Sequence, residues 1–140
     1  MKILFVCLGN ICRSPLAEAI FNDKIAKCGL QDSFIADSCG TSNYNIGDWP
    51  DPRTIKSANK HQVPISHFAR QLTRADLDNF DLILAMDSYN LGDILSMASM
   101  ETKDKVKLMR SYDPEGEGDV PDPYHGRESD FENVFQILDR

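Results

Sequence analysis

The first fifteen residues constrain the fold of this chain more than any other segment. Residues 2–8 form an almost wholly apolar run rich in β-formers, which is typical of a strand buried on both faces of a parallel sheet. The breaker pair Gly9-Asn10 follows, and from Ser14-Pro15 onward apolar residues recur at helical spacing. The chain is therefore predicted to open with a strand, a tight loop and a helix.

The rest of the chain repeats this alternation. Further short apolar runs predict strands at residues 34–38, 81–86 and 106–109. Cap residues and helical spacing predict helices near residues 51–61, 73–77 and 130–138, with Ser88 as the cap of another. We therefore expect one α/β domain over residues 1–140, a three-layer sandwich with a four-stranded parallel sheet between helices. The last helix stops without a clear cap, as if it were truncated.

The net charge and the cysteine pattern indicate what the chain can bind and in which cellular compartment it works. A net charge of -7 and a pI near 4.8 argue against general binding to nucleic acid or to anionic lipid. The longest apolar run, residues 3–8, is too short to span a membrane and no secretory signal follows it. Four cysteines lie in the first third of the chain without C-x-x-C spacing, which predicts reduced thiols in the cytoplasm rather than a zinc site. Cys28 and Cys39 are expected to be ordinary core residues.

The first loop has the composition of an anion site. Cys7 ends the strand and Arg13 begins the helix, and ligands bind parallel sheets beyond the carboxyl ends of their strands. The amides of residues 8–13 could ring a phosphate, and the guanidinium of Arg13 could bind two of its oxygens. The same donors favour a thiolate on Cys7. A bare C-x5-R would more often be a buried cysteine and a solvated arginine, so the position of the pair carries the prediction.

The surrounding string resembles a known signature. Val6-Cys-Leu-Gly-Asn-Ile-Cys-Arg-Ser-Pro15 is similar, at every defining position, to the loop of the low-molecular-weight protein tyrosine phosphatases. The resemblance continues in the expected order through four more motifs, Asp51-Pro-Arg53, His67-x-Ala-Arg-Gln71, Ala85-Met-Asp87 and Asp122-Pro-Tyr124. It implies phosphotyrosine hydrolysis through a phosphocysteine intermediate on Cys7, without metal or cofactor. The expected partners are phosphotyrosine proteins or small aryl phosphates.

A general acid must protonate the leaving group, and the long loop at residues 111–127 offers several carboxylates. Composition alone does not choose among Asp113, Asp119 and Asp122, but the resemblance implies Asp122. It also implies that His67 supports the loop. Asn10 suits a left-handed backbone position.

The resemblance assigns the remaining loop residues to phosphate binding. Cys12 is further expected to form a reversible disulfide with Cys7 that protects it from over-oxidation. Tyr44 and Tyr124 are expected to sandwich the substrate ring, with Trp49 widening that wall. The full set of expected substrate-binding residues is Leu8, Gly9, Asn10, Ile11, Cys12, Ser14, Tyr44 and Tyr124.

Three other functions compete with this one. Arsenate reduction uses a similar loop but needs resolving cysteines downstream, and none follows Cys39. Protein arginine phosphatases resemble this family but carry Thr where this loop has the apolar Ile11, which favours phosphotyrosine here. A phosphate-binding module without turnover should lack a nucleophile or an acid, and this chain has both Cys7 and Asp122.

Overall fold

A parallel sheet of four strands forms the centre of the computed structural model, which describes residues 1–140. The strands are β1 (Lys2–Cys7), β2 (Ile35–Gly40), β3 (Leu82–Ala85) and β4 (Val106–Leu108). The helices are α1 (Arg13–Lys27), α2 (Pro52–Lys60), α3 (Arg74–Asn79), α4 (Ser88–Met97) and α5 (Glu128–Asp139), with short 3-10 turns at Lys103–Lys105 and Met109–Tyr112. The predicted α/β class and parallel sheet are confirmed.

Strand β1 lies inside the sheet, because the strand order is β2-β1-β3-β4. Its Val6 pairs with Cys39 on one side and with Ala85 on the other. The chain thus passes from β1 to a neighbour on one side and later returns to its other side. In open parallel sheets such a switch point leaves a crevice at the carboxyl ends of the strands. The loop after β1 lies at this crevice.

The alternation of side chains along β1 separates two hydrophobic layers. Phe5 faces a layer that contains Leu16 of α1 and Phe135 of α5. Val6 faces the other layer, which contains Leu77 of α3 and Ile94 of α4. A strand buried on both faces needs the continuous apolar run that begins this chain. Both layers hold β1 rigidly, so its last residue, which carries the candidate nucleophile, is fixed in space.

Caps fix the ends of the other helices. Asp51 accepts a hydrogen bond from the amide of Arg53 before Pro52 opens α2, as the sequence predicts. Thr73 and Asp76 form a reciprocal capping box at α3. The expectation that Ser88 caps α4 is wrong, because Asp87 holds that position and accepts from the amide of Asn90 at 2.8 Å.

Two further expectations need correction. Strand β2 begins one residue later and ends two residues later than predicted, since Cys39 and Gly40 continue the ladder beside Val6 and Cys7. A Cβ on Gly40 would lie 2.6 Å from the carbonyl oxygen of Leu8, so only glycine allows this approach. Cys28, expected in the core, is exposed beyond the end of α1.

No helix combines the length and the apolar character that crossing a bilayer requires.

Candidate active site

The loop between β1 and α1 leaves four of its amides without a partner in the protein. Its carbonyls are held from outside: that of Leu8 accepts from the amide of Ser42 at 3.0 Å, and that of Ile11 accepts from the amide of Asp51 at 2.8 Å. By contrast, no protein acceptor pairs with the amides of Leu8, Gly9, Ile11 and Cys12. Unpaired amides at a helix N-terminus are the standard protein device for holding an anion.

Asn10 shapes this loop from the inside. Its backbone has φ 59°, the left-handed conformation that the sequence predicts, and its side chain is fully buried. The carboxamide donates to the hydroxyls of Ser14 at 2.8 Å and Ser38 at 3.0 Å, and it accepts from the amide of Arg70 at 3.0 Å. Every polar atom of this side chain therefore has a partner, which holds the loop in one shape.

Cys7 lies at the base of a cavity of about 320 Å³. Only 2% of the residue is exposed, yet it lines this cavity together with loop residues on one side and Asp122 on the other. Its Sγ lies 3.0 Å from the hydroxyl oxygen of Ser14 and 3.3 Å from the amide nitrogen of Asn10. The amide donates to the sulfur and the hydroxyl is placed to do the same. These contacts fix the position of the sulfur, which is the candidate nucleophilic atom.

Arg13 is buried beside this sulfur. Its Nη1 donates to the carboxylate of Asp87 at 2.6 Å and to the carbonyl of Val120 at 3.0 Å, and its Nη2 lies 3.7 Å from Oδ2 of Asp122. Burial lowers the pKa of Arg13, but the facing anions of Cys7, Asp87 and Asp122 outweigh it and raise that pKa overall. The guanidinium is thus a permanent positive charge at the cavity wall.

Asp122 reaches the cavity from the long loop that follows β4. Its Oδ1 accepts from the amide of Tyr124 at 3.1 Å, which orients the carboxyl group. About 45% of its side chain is exposed, so water and a leaving group can reach it. Of the three loop acids considered from the sequence, Asp122 alone lines the cavity; Asp113 binds Arg110 and Arg140, and Asp119 binds Ser88.

Comparison with known proteins decides the family. The sequence model of the family described as "Low molecular weight phosphotyrosine protein phosphatase" matches residues 2–140. A protein of that name from Pongo abelii is 46% identical over 137 residues, covering 96% of this chain and 87% of the relative. The chain belongs to the low molecular weight phosphotyrosine protein phosphatase family. It is accordingly an enzyme of the cysteine-based phosphatase class.

Solved structures agree with this family. A protein tyrosine phosphatase from Entamoeba histolytica, with Hepes in its active site, has a TM-score of 0.97 at 38% identity, covering 99% of this chain and 90% of that one. The YwlE arginine phosphatase, known from Bacillus subtilis, has a TM-score of 0.90 at 29% identity, covering 99% and 89%. The fold therefore accommodates more than one phosphorylated residue, and the substrate of this phosphatase must be argued from its cavity.

The rim of the cavity is aromatic. Tyr44 and Tyr124 both line it, as does His125, and the Tyr124 and His125 rings meet edge to face at 5.0 Å. Trp49, expected to widen this wall, does not line the cavity and packs edge-on against Phe68 at 5.0 Å instead. The phosphatase thus has two exposed tyrosine rings on which a flat substrate group could stack.

Some of the expected substrate-binding residues line the cavity, and others lie behind the loop and support it. Leu8, Gly9, Ile11 and Cys12 line the cavity. The side chains of Asn10 and Ser14 do not; both are fully buried behind the loop. Their contribution is to hold the sulfur and the loop, not to touch substrate through their side chains.

Cys12 differs electrostatically from its neighbour in the loop. Burial raises the pKa of its thiol to about 12, and the nearby anions of Asp51 and Cys7 contribute in the same direction. Cys12 is therefore a neutral thiol at physiological pH and is not suited to replace Cys7 as the nucleophile. The two cysteines are both free in this structure, and the disulfide between them remains a prediction.

His67 lies behind the loop, where its Nε2 is 2.7 Å from Oδ1 of Asn10 and 3.3 Å from the hydroxyl of Ser38. It reaches Ser14 only through Asn10. Ser38 in turn donates to Glu18 at 2.6 Å. Burial lowers the pKa of His67 and raises that of Glu18 to about 7.

Sequence reasoning missed several residues of this site. Asp87 binds Arg13 and Asn45 lines the cavity, and the sequence analysis proposed neither residue for the site. Asp87 could have been found, because it closely follows the third strand and the carboxyl ends of neighbouring parallel strands meet at one edge. Ser38 and Glu18 carry no such local signal, since their role arises only from contacts with Asn10 and His67.

Proposed function

We propose that this phosphatase hydrolyses phosphotyrosine monoesters, in proteins or in small aryl phosphates, through a phosphocysteine on Cys7. The observation that carries the proposal is the position of the Cys7 sulfur, in a cavity that is also lined by the four loop residues whose amides are unpaired. A phosphate bound to those amides lies against the sulfur. The reacting atoms are thereby held in contact before any chemistry occurs.

In the first half-reaction the Cys7 thiolate attacks phosphorus and the ester P–O bond breaks. Charge on the equatorial oxygens is stabilised by the loop amides and by the guanidinium of Arg13, which are already in position. Asp122, in its acid form, gives its proton to the departing phenolate oxygen. The products are tyrosine and a phosphoryl group on sulfur.

In the second half-reaction a water attacks the phosphorus of the phosphocysteine. The Asp122 carboxylate accepts the proton of that water, and the S–P bond breaks to release phosphate and restore the thiolate. The exposure of Asp122 supports this double role, because the same carboxyl must meet both the leaving group and water. In YwlE a serine at the active site has been captured in phosphorylated form, which supports covalent transfer on this fold.

The cavity favours an aryl substrate over phosphoarginine. Tyr44 and Tyr124 provide apolar ring faces at the rim, and Ile11 presents an alkyl side chain beside them. A phosphorylated guanidinium carries several N–H donors that need acceptors once they leave water. Ile11 offers none, so the cavity matches a phenyl ring better than a guanidinium.

The remaining surface and chemistry suit a cytoplasmic protein substrate. The chain has a net charge of -7, which disfavours general binding to nucleic acid or anionic lipid. A free thiolate nucleophile is oxidised unless its surroundings are reducing. We therefore place the activity in the cytoplasm.

The test is a comparison of phosphotyrosine, phosphoserine and phosphoarginine peptides of the same flanking sequence, assayed in chelator. We expect phosphotyrosine to be hydrolysed with a kcat/KM at least about 10²-fold above that of the other two, since the cavity recognises the aryl group. The matched control is Cys28→Ser, an exposed cysteine remote from the cavity, which should keep full activity while Cys7→Ser loses it. Preference for phosphoarginine, or full activity in Cys7→Ser, would contradict the proposal.

A further inference from the structure

The ring of Tyr124 at the cavity rim needs an anchor. This residue is 46% exposed, and its neighbour His125, which meets the ring edge to face at 5.0 Å, is itself exposed. Two exposed side chains on one loop do not fix each other in place. The Tyr124 ring has a second contact, because the guanidinium carbon of Arg53 lies over it, 5.5 Å from its centroid.

Arg53 is fixed by an ion pair beside the active-site loop. Its Nε donates to Oδ1 of Asp51 at 3.1 Å and its Nη2 donates to Oδ2 at 2.9 Å. Asp51 is only 8% exposed, and its amide donates to the carbonyl of Ile11 at 2.8 Å. Two parallel hydrogen bonds to one carboxylate set the plane of a guanidinium as well as its position. Arg53 therefore has a defined orientation although it starts on the exposed side of α2.

A buried ring supports the same guanidinium. The guanidinium carbon of Arg53 lies 4.5 Å from the ring centroid of Phe131 on α5, which is 2% exposed. A cation within about 6 Å of a ring centroid is attracted to the face of the ring. A planar guanidinium can stack on a ring while its edge binds a carboxylate, which an ammonium group cannot do. Arg53 is thus held by two buried residues, Asp51 and Phe131.

We propose that Arg53 is a positioning residue that holds the Tyr124 ring ready to stack on an aryl phosphate. The inference rests on the proposed function, since only an aryl substrate has a ring to stack. Arg53 does not line the cavity, whereas Tyr124 does, so Arg53 acts through Tyr124. A ring that is already held in place loses less freedom when substrate binds, and the affinity for an aryl group rises accordingly.

The test compares an aryl substrate with an ion that has no ring. In Arg53→Gln we expect kcat/KM for a phosphotyrosine peptide to fall at least about fivefold. The inhibition constant of inorganic phosphate should stay within about twofold of the parent value, because phosphate needs only the loop amides and Arg13. Lys56→Gln is the matched control: it also removes a positive charge from α2, but Lys56 pairs with Glu128, and both constants should be unchanged.

A double-mutant cycle with Tyr124→Leu shows whether Arg53 acts through the ring. Once the ring is gone, Arg53→Gln should cause little further loss of kcat/KM. Arg53→Lys keeps the charge beside Asp51 without the flat face, so it should show the same loss as Arg53→Gln. It decides the question if thermal unfolding shows that Arg53→Gln does not fold.

The parent enzyme separates this inference from the proposed function. A parent that does not hydrolyse phosphotyrosine would contradict the proposed function itself. With an active parent, three results would overturn the positioning role: an unchanged kcat/KM in the folded Arg53 variants, a parallel weakening of phosphate inhibition, or an undiminished effect of Arg53→Gln in Tyr124→Leu.

Discussion

The Nη1 of Arg13 lies 2.6 Å from Oδ2 of Asp87, and this ion pair joins the carboxyl ends of β1 and β3. Both side chains are mostly buried, with 3% and 15% exposed. The other oxygen of Asp87 caps α4 through the amide of Asn90. One carboxylate thus fixes both the direction of the Arg13 guanidinium and the start of α4.

Replacing Asp87 should separate these two roles. In Asp87→Asn the new carboxamide still caps a helix well, so α4 should keep its first turn. The guanidinium of Arg13 loses its charged anchor, and kcat/KM for an aryl phosphate should fall up to about 10²-fold. Steady-state kinetics of the variant measures this loss. The control is Asp119→Asn, because the Asp119 side chain binds Ser88 nearby and does not contact Arg13. Unchanged kinetics in Asp87→Asn would contradict a positioning role.

Asp122→Asn should show the signature of a lost general acid. We expect kcat/KM, which reports the first half-reaction, to fall by about 10²–10⁴-fold for phenyl phosphate and much less for p-nitrophenyl phosphate, whose leaving group needs no proton. The control is Glu117→Gln, an exposed acid of the same loop. Equal losses for both leaving groups would instead indicate that Asp122 acts only in substrate binding or in the second half-reaction.

The identity of residue 11 should tune the choice of phosphorylated residue. Ile11→Thr places a hydroxyl on the cavity wall, where it can accept from a substrate N–H. We expect the ratio of phosphoarginine to phosphotyrosine kcat/KM to rise at least about tenfold. Ile11→Val, which keeps the wall apolar, is the matched control. The same ratio in both variants would show that residue 11 does not determine specificity.

The sequence predicts the frame of this site because its signals are local. The apolar run of β1, the breakers after it and the helix from Ser14-Pro15 are contiguous, and so are Cys7 and Arg13 within that frame. The cap of α4 illustrates the limit. Both Ser88 and Asp87 are good cap residues, and only the bond to Arg13 and the geometry of β3 place Asp87 there.

The rest of the site depends on contacts between distant residues. His67 reaches Asn10 across 57 positions and Ser38 reaches it across 28, and neither spacing leaves a pattern in the sequence. The extent of β2 is likewise fixed by its partner strand, whose Val6 and Cys7 pair with Cys39 and Gly40. Tertiary pairing, rather than propensity, decides such boundaries.

Stability should fall in acid through Asp76. Burial alone raises the pKa of this carboxyl, but hydrogen bonds from Arg70 and Thr73 outweigh it and lower the pKa below its ordinary value of 3.8. A lowered native pKa adds stability that is present above about pH 4 and lost as the pH falls through the native pKa. Asp76→Asn should therefore cost about 2 kcal/mol at pH 7 and much less in strong acid.

Urea unfolding at pH 7 and in acid measures this difference. Asp78→Asn, an exposed aspartate on the same helix, should leave the free energy of unfolding nearly unchanged at both pH values. A cost for Asp76→Asn that is independent of pH would show that its carboxylate charge contributes nothing.

The covalent intermediate is the central claim, and acid quenching within one turnover tests it most directly. The full chain is mixed with excess aryl phosphate, quenched before the steady state, and its mass and modified peptide are determined. We expect one phosphoryl group on Cys7, formed at the rate at which the phenol is released in the burst. Steady turnover with no phosphoryl group on Cys7 at any quench time, or with the group on another residue, would contradict the mechanism.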